Sequence, residues 1–326
     1  MEKFNYLEGA TPIDDASGLI PNGISTQSDL NRIEAENIFA AQKRYLRGKI
    51  DNPALWFNVE TLTAIHRAMF GNVWTWAGTF RKTAIKPIGV EPYLIPVQLE
   101  ELCREVRFWA SEPIDLTFLE QAVRVHHRLV FIHPFKNGNG RFSRLIADRY
   151  LMAYGCPHPS WPYLQDPHDK VRSAYIQTLK AADGGDYDPL LCLIRTLGAR
   201  DPFLSELLGL SRYKQQLSAE KRVAMVHALL RLKCEVNETH NNGHHPLHLA
   251  IKNGYQEIAL VLVQHGADIK FKDKSGYDAF ELAINAGMFA VANAICKAGY
   301  PYVPRMPAPS KIKYEMLYKF ETEFLK

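Results

Sequence analysis

Apolar residues recur at helical spacing through most of the first 200 residues, and this pattern predicts a mainly α-helical region. Ser28 is the expected N-cap of the first helix, and Pro134 is expected to end the fourth near His133. Residues 1–27 carry several glycines and prolines and are predicted to be an irregular lead-in. The helices are predicted at about 28–48, 56–70, 96–109, 118–133, 139–155, 167–182 and 188–198.

Between residues 78 and 96 the helical period is lost. This stretch combines β-branched residues with Gly89 and three prolines, a composition that disfavours a helix. We therefore expect a short strand pair, or flap, between two helices.

An internal repeat marks the second region of the chain. Three glycines recur 33 residues later: Gly243, Gly254 and Gly266 as Gly276, Gly287 and Gly299. The segments GHHPLHLA and HGAD of the first copy resemble the ankyrin consensus, whereas DAFE stands in the second copy where TPLH is usual. An atypical third copy is expected upstream. So few repeats are near the lower limit of stability, and a final helix over about 310–325 is predicted to cap them.

Composition and charge narrow the functional classes. The chain is 47% hydrophobic and 23% charged, an ordinary globular balance. Its net charge of +4 lies in residues 200–326, with 17 basic and 13 acidic residues, since residues 1–199 hold 22 of each. This small excess does not indicate a nucleic-acid or membrane-surface protein, and no apolar run reaches the ~18–20 residues of a membrane span. Five widely spaced cysteines without a CxxC pair, and no evident signal peptide, favour a cytoplasmic protein.

The candidate chemistry lies between two predicted helices, in the segment HPFKNGNGRFSR from His133 to Arg144. Gly138 and Gly140 allow close backbone approach, and the N–H groups that open the following helix form an anion site. Arg141 and Arg144 share a face of that helix and can bind phosphate oxygens. His133 has an ordinary pKa that suits a general base near neutrality. The segment therefore predicts a polyphosphate site with a base beside it.

This segment resembles the signature of the Fic family, HPFx[DE]GNGRxxR, at every fixed position except one. The resemblance extends over roughly residues 10–198 and includes WAGTFR, HHRLVFIHPF and GGDYDPLL. The opening ATPIDDASGLIP resembles the Fic subgroup called mobile mystery protein B. The resemblance implies an all-α fold, a Fic helical bundle with a small β-hairpin flap, followed here by a short ankyrin-repeat solenoid. It also implies transfer of AMP from ATP, with Mg²⁺, to a hydroxyl of a protein target.

The resemblance implies two domains and a terminal element. The Fic domain would cover residues 1–200, with the lead-in and a candidate inhibitory helix in residues 1–50. A linker and a C-terminal capping helix would cover 301–326. The ankyrin repeats would cover 205–300, as copies at 205–240, 241–273 and 274–300.

The resemblance also implies a role for individual positions. His133 would deprotonate the Ser, Thr or Tyr hydroxyl of the target. Arg141 would hold the β- and γ-phosphates, and Arg144 would hold the γ-phosphate or pair with an inhibitory glutamate. The flap residues Thr83, Ala84, Ile85 and Lys86 would align the target segment as an added strand. The implied nucleotide-binding residues are Asn137, Gly138, Asn139, Gly140, Arg141, Arg144 and Tyr175, the last beside the adenine.

Asn137 is the one departure from the family signature. The family usually has Asp or Glu at this position to hold Mg²⁺. An amide oxygen lacks the negative charge that this ion favours in its ligands. We expect weak Mg²⁺ binding by Asn137, with the triphosphate supplying most of the ligands.

Two acidic residues of the first predicted helix are candidate inhibitors. Many Fic proteins carry an inhibitory helix, [ST]xxxE[GN], whose glutamate pairs with the second motif arginine. Glu36 precedes Asn37 and fits the end of this pattern, but Arg32 stands where Ser or Thr is usual. Glu34 lies instead on the apolar stripe of the helix, where a carboxylate needs a partner. Glu34, Glu36 and a carboxylate without an inhibitory role remain open alternatives.

Three functions are compatible with these residues. The first is a protein adenylyltransferase whose ankyrin repeats bind the target, with autoadenylylation as a side reaction. The second is Fic-type transfer of another nucleotide or of phosphocholine, although Gly138 favours AMP. The third is a catalytically weak module in which the ankyrin repeats bind a protein partner, and the small positive excess gives a mild preference for an acidic one. By analogy, a Fic-like region joined to ankyrin repeats is similar to effector proteins that are delivered to a host cell.

Overall fold

The structure is a computed structural model of the 326-residue chain, and it describes residues 18–24, 26–85, 88–161, 170–239, 243–301 and 314–324. These residues form two compact units that meet in sequence at residues 201 and 202, with 113–116 belonging to the second unit. None of the helices in these ranges combines the length and the apolar character that crossing a membrane requires.

The first unit is helical, as its hydrophobic pattern predicted. Amphipathic helices bury their apolar faces against one another, and a short 3-10 turn at Pro92–Leu94 leads into the fourth of them. The α-helices of the described residues in this unit are α1 (Gln27–Tyr45), α2 (Pro53–Trp56), α3 (Val59–Phe70), α4 (Ile95–Ser111), α5 (Phe118–Ile132), α6 (Asn139–Ala153), α7 (Lys170–Asp183) and α8 (Asp188–Thr196).

The first helices differ from their predicted bounds because of polar capping residues. Thr26 rather than Ser28 caps α1, since its Oγ1 accepts a hydrogen bond from the Asp29 amide at 3.1 Å. The single helix predicted over 56–70 is divided into α2 and α3. Asn58 lies between them, and its side chain accepts from the Thr61 amide at 2.8 Å, which starts a new helix.

The predicted strand pair of the flap is reduced to one bridge between Ile85 and Ile88 within the described residues. Lys86 lies outside the described residues. The Ile88 amide also donates to the Ile85 carbonyl at 2.8 Å. The carbonyls of Thr83 and Val90, near the two ends of the flap, accept from the Arg81 side chain. A side chain thus takes the place of the cross-strand bonds that a β-hairpin would make.

Helices α5 and α6 form the centre of the first unit and hold the motif between them. A reciprocal capping box of Thr117 and Glu120 starts α5, and the helix ends at Ile132 as predicted from Pro134. At the far ends of the pair, Phe118 stacks on Tyr154 with ring centroids 4.0 Å apart. The packed pair is a rigid support for the loop that joins it.

The second unit repeats one helix pair at an interval of 33 residues. Helices α12 and α13 are followed 33 residues later by α14 and α15, with the same lengths. The α-helices described in this unit are α9 (Leu204–Gly209), α10 (Ser211–Gln216), α11 (Ala219–Arg231), α12 (Pro246–Lys252), α13 (Gln256–Gln264), α14 (Ala279–Asn285), α15 (Phe289–Lys297) and α16 (Tyr314–Phe324).

Polar bonds join successive repeats. Lys252 of α12 lies 2.6 Å from the Asp273 carboxylate, and His248 Nε2 donates to the Tyr277 carbonyl at 3.2 Å. The divergent DAFE segment keeps a capped helix, because Asp278 and Glu281 form a reciprocal capping box at the start of α14. Asp278 therefore replaces the capping function of the usual threonine.

The end of the repeat array is covered by α16. Leu317 and Phe320 of this helix are buried, and α16 packs on both α14 and α15. The predicted capping helix is therefore present, although most of the linker before it lies outside the described residues.

Gly138→Ala is expected to lower the free energy of unfolding by about 1–3 kcal/mol. A Cβ at Gly138 would lie 2.4 Å from the Phe70 ring, and the backbone there has a φ of +77°. Gly140→Ala is the matched control, because no atom lies within 4 Å of its Cβ position. The control is expected to be unchanged or more stable by up to about 1 kcal/mol. Urea unfolding of the full chain measures both, and equal stabilities would contradict the steric argument.

Candidate functional site

His133 lies at the junction of α5 and the motif loop, in a left-handed backbone conformation with φ +50° and ψ +59°. Its Nδ1 lies 3.1 Å from the Val130 carbonyl oxygen, which can only accept, so Nδ1 carries the proton. Nε2 then keeps its lone pair in the neutral ring. Burial lowers the pKa of His133 to about 4; the charge of Arg81 adds to this effect and the Val130 bond opposes it. His133 is therefore a neutral base at physiological pH.

Asn139 and His66 hold the motif loop by its backbone. The Asn139 side chain accepts from the Phe135 amide at 2.9 Å and donates to the Phe135 carbonyl at 2.8 Å. His66 of α3 donates from Nε2 to the Asn137 carbonyl and accepts at Nδ1 from the Gly78 amide, each at 3.0 Å. Burial lowers the pKa of His66 to about 3, so the ring stays neutral and keeps both bonds.

The first turn of α6 presents backbone amides at the end of the loop. The first helical bond runs from the Phe142 amide to the Gly138 carbonyl at 2.9 Å. The amides of Asn139, Gly140 and Arg141 therefore have no partner within the helix. Space is open around Gly140, and a helix start of this kind attracts anions. An anion at this helix start would therefore meet backbone groups, because the Asn139 side chain is bonded to Phe135.

Glu34 of α1 reaches across to the motif. Arg141 Nη1 lies 2.5 Å from one carboxylate oxygen of Glu34, and Trp74 Nε1 donates to the other at 2.7 Å. Glu34 is only 3% exposed, so solvent ions screen this pair little. Glu36 is exposed and pairs with Arg32 of its own helix at 3.0 Å. Of the two candidate inhibitors, the structure brings Glu34 to the motif.

The partner of Glu34 is the first arginine of the motif, whereas the resemblance implied the second, Arg144. Arg144 lies beside the Tyr175 hydroxyl and over the Trp161 ring, 5.9 Å from its centroid. The Tyr175 hydroxyl also lies 2.9 Å from Nε2 of His126, and Tyr175 is 8% exposed. Little of its ring is left to contact an adenine, and its contacts instead hold Arg144 in place.

Asn137 does not provide a magnesium site by itself. Its side-chain oxygen accepts from the Gly138 amide at 2.6 Å, and its carbonyl accepts from His66. A neutral oxygen that is already hydrogen-bonded is a poor ligand for Mg²⁺. Within the described ranges, no group of three or more His, Cys, Asp or Glu residues could hold a metal ion.

The flap begins close to this site. Thr83 and Ala84 are exposed and Ile85 is half-exposed. The Arg81 side chain joins the flap to the end of α5, since its Nε donates to the His133 carbonyl at 2.6 Å. The first arm of the flap is therefore tied to the residue that carries the candidate base.

Three residues of the site were not singled out from the sequence: His66, Trp74 and Arg81. His66 lies on the apolar stripe of α3, where a polar side chain signals a buried partner. Arg81 follows an apolar segment and binds backbone carbonyls, which leave no mark on the sequence. Trp74 lies in a segment rich in tryptophan, and the carboxylate that its indole binds, that of Glu34, is 40 residues away in sequence.

Two regions of the chain match known families. Residues 56–151 match the Fic/DOC family, and residues 216–303 match ankyrin repeats in three copies. Among solved structures, the chain is similar to the BepC protein of Bartonella tribocorum, a VirB-translocated effector with bound AMPPNP. That similarity has a TM-score of 0.43 and 20% identity, and covers 55% of this chain and 90% of the other.

Curated relatives match about half of the chain. The protein adenylyltransferase Fic of Nematostella vectensis is 30% identical over 164 residues, 48% of this chain and 37% of the relative. The protein of the same name from Culex quinquefasciatus is 32% identical over 167 residues, 48% of this chain and 32% of the relative. The chain thus spans about a third of the length of these relatives. It combines a Fic domain, matched over residues 56–151, with ankyrin repeats, matched over residues 216–303.

Proposed function

We propose that this chain is a protein adenylyltransferase that transfers AMP from ATP to a hydroxyl side chain of a protein. One observation carries the proposal: a neutral histidine base and the open amides of a helix start lie at the two ends of a single loop. The similarity to relatives named protein adenylyltransferase supports it.

The proposed reaction needs few parts. His133 Nε2 takes the proton as the target oxygen attacks the α-phosphorus of ATP, and the bond to pyrophosphate breaks. The open backbone amides of Asn139 and Gly140 face the α- and β-phosphates, whereas the Gly138 amide is bonded to the Asn137 side chain and Gly138 contributes its close backbone approach. Arg141 binds the β- and γ-phosphates as a planar, two-pronged donor, and Arg144 adds positive charge. Magnesium that accompanies the nucleotide is held mainly by its phosphates.

The flap and the ankyrin repeats serve the protein target. The exposed arm at Thr83–Ile85 is suited to receive an extended target segment, and Lys86 continues it in sequence. The ankyrin repeats bind a protein partner, as such repeats commonly do. The excess of positive charge in residues 200–326 favours an acidic partner surface. A cytoplasmic location, in the cell of origin or in a host, is part of this proposal.

Glu34 acts as an inhibitor in this proposal. Its carboxylate occupies the guanidinium of Arg141 that the phosphates need, so ATP and Glu34 compete for one cation. The second bond, from Trp74, keeps the carboxylate aimed at the motif. The resting chain is therefore expected to have low activity until Glu34 leaves.

Incubation of the full chain with ATP labelled in the α-phosphate tests the proposed reaction. Label is expected in protein, including the chain itself, and is expected to be lost in His133→Ala. ATP labelled in the γ-phosphate should give none. Parallel arms with CTP, UTP and CDP-choline decide the transferred group. If CDP-choline but not ATP labels the protein, the transferred group is phosphocholine rather than AMP. No label from any donor, with Glu34→Gly as well as wild type, would favour a binding module.

Glu34→Gly is expected to raise autoadenylylation by at least about tenfold, as removal of a competing interaction worth about 1.4 kcal/mol would give. Glu36→Gly is the matched control: it removes an exposed carboxylate from the same helix and should leave the rate unchanged. Initial rates at a subsaturating ATP concentration measure both. If only Glu36→Gly raised the rate, Glu36 would be the inhibitor and the assignment to Glu34 would be wrong. If neither variant raised the rate, inhibition within the chain would be ruled out.

Asn137→Asp is expected to raise activity at low Mg²⁺, because a carboxylate adds the negative charge that the amide lacks. The measurement is the Mg²⁺ concentration for half-maximal autoadenylylation in the Glu34→Gly background. Asn137→Ala serves as the comparison and should need at least as much Mg²⁺ as the unmodified residue. If the aspartate variant shows the Mg²⁺ dependence of the parent, position 137 does not bind the metal.

A further inference from the structure

Arg81 is a buried side chain whose donors reach two separate elements. It is 5% exposed, and its acceptors are backbone carbonyls rather than carboxylates. Nη1 donates to the Thr83 carbonyl at 3.0 Å, and Nη2 donates to the Val90 carbonyl. These two carbonyls lie at the two ends of the flap. One guanidinium therefore closes the base of the flap.

The same guanidinium caps the end of α5. Nε donates to the His133 carbonyl at 2.6 Å, and Nη2 lies 3.4 Å from the Ile132 carbonyl. The last carbonyls of a helix have no partner within it, and buried carbonyls need one. The Arg81 amide also donates to the Pro134 carbonyl at 2.9 Å. Backbone and side chain of one residue thus bind three consecutive residues where the helix ends.

His133 needs such a support because of its backbone conformation. Its φ of +50° lies in the left-handed region, which non-glycine residues adopt at a cost unless their surroundings fix them. Gly89 of the flap packs against this point: a Cβ there would lie 2.7 Å from both Arg81 Nη2 and His133 Cβ. The flap, the arginine and the histidine therefore share one closely packed contact.

We propose that Arg81 is a positioning residue that fixes the flap and the base His133 in a single arrangement. The proposal rests on the proposed function, because it takes His133 as the base and the flap as the surface for the target. A hydroxyl on a segment aligned by the flap then meets Nε2 at a set distance. Asn139 and His66 hold the rest of the loop, and Arg81 makes no described bond to Arg141 or to the start of α6. We therefore expect ATP binding to change little when Arg81 is replaced.

A lysine cannot replace this function although it keeps the charge. The guanidinium presents five N–H donors in a plane, which suits carbonyls on several sides, whereas an ammonium is a compact point charge. Arg81→Lys therefore separates the charge from the geometry. Arg81→Met removes both. Lys82→Met is the matched control, because Lys82 is the adjacent exposed cation.

Hydrogen exchange of the full chain tests whether Arg81 holds the flap, and the measurement does not require enzymatic activity. The amides of Ile88 and Val90, bonded to Ile85 and Ile132, report on the flap. Both Arg81 variants are expected to speed their exchange by at least about tenfold, and Lys82→Met should not. Wild-type exchange in Arg81→Met would overturn the proposal. If the Glu34→Gly chain transfers no AMP, the proposed function fails, and hydrogen exchange still decides whether Arg81 holds the flap.

Autoadenylylation in the Glu34→Gly background tests positioning. Arg81→Met is expected to lower the rate at saturating ATP by about 100-fold, with half-saturation by ATP unchanged within about twofold. Arg81→Lys should lower the rate in the same direction. A loss of ATP binding parallel to the loss of rate would indicate general damage and would overturn the positioning role.

The pH profile separates the two Arg81 variants. Burial lowers the pKa of His133 most, the bond to the Val130 carbonyl of α5 raises it, and the charge of Arg81 lowers it further. A base works when it is unprotonated, so activity falls below its pKa. Arg81→Met should move the acidic fall in rate to higher pH by about half a unit or more, and Arg81→Lys should not. An identical shift in both variants would contradict the assigned role of the charge.

Discussion

The left-handed turn at His133 is the constraint on which the rest of the motif depends. It ends α5, turns the chain towards the loop, and sets the direction in which Nε2 points. Further bonds fix the loop just after His133. Asn139 binds the backbone amide and carbonyl of Phe135, and His66 binds the carbonyl of Asn137. The second left-handed residue, Gly138, then starts α6. Two unusual backbone conformations, one at each end, shape a short loop into a base and an anion site.

The electrostatics of the site follow from burial around this loop. The first region of the chain has no net charge, yet Arg141, Arg144 and the start of α6 concentrate positive charge at one place. The histidines nearby stay neutral, because burial lowers the pKa of His66, His126 and His133. The positive charge of the site therefore comes from the arginines and the helix start, and Nε2 of His133 stays unprotonated. Among the described residues, the salt bridge to a motif arginine comes from Glu34, and this contact places its carboxylate in competition with an anionic ligand.

The parts of this structure that could be predicted are those fixed by neighbours in sequence. Pro134 predicted the end of α5, and the recurring glycines predicted the 33-residue repeat. The position of Glu34 on an apolar stripe predicted that its carboxylate needs a partner. The partner was wrongly expected to be Arg144, the second motif arginine, because a contact between residues 107 positions apart cannot be read from local pattern. The function of Arg81 was hidden for a different reason: its acceptors are main-chain carbonyls, which every residue has. In the described residues the flap shows a single antiparallel bridge, between Ile85 and Ile88, and propensity does not reveal that the Arg81 side chain binds carbonyls near both of its ends.

The indole of Trp74 is bonded to the same carboxylate that occupies Arg141. A tryptophan that loses a carboxylate partner in a buried place changes its emission, because the excited indole is sensitive to nearby charge. Movement of Glu34 away from the motif would therefore alter the fluorescence of a residue that takes no part in the chemistry. If Glu34 closes the anion site as proposed, the emission of Trp74 would report whether that site is closed or open, without an added label.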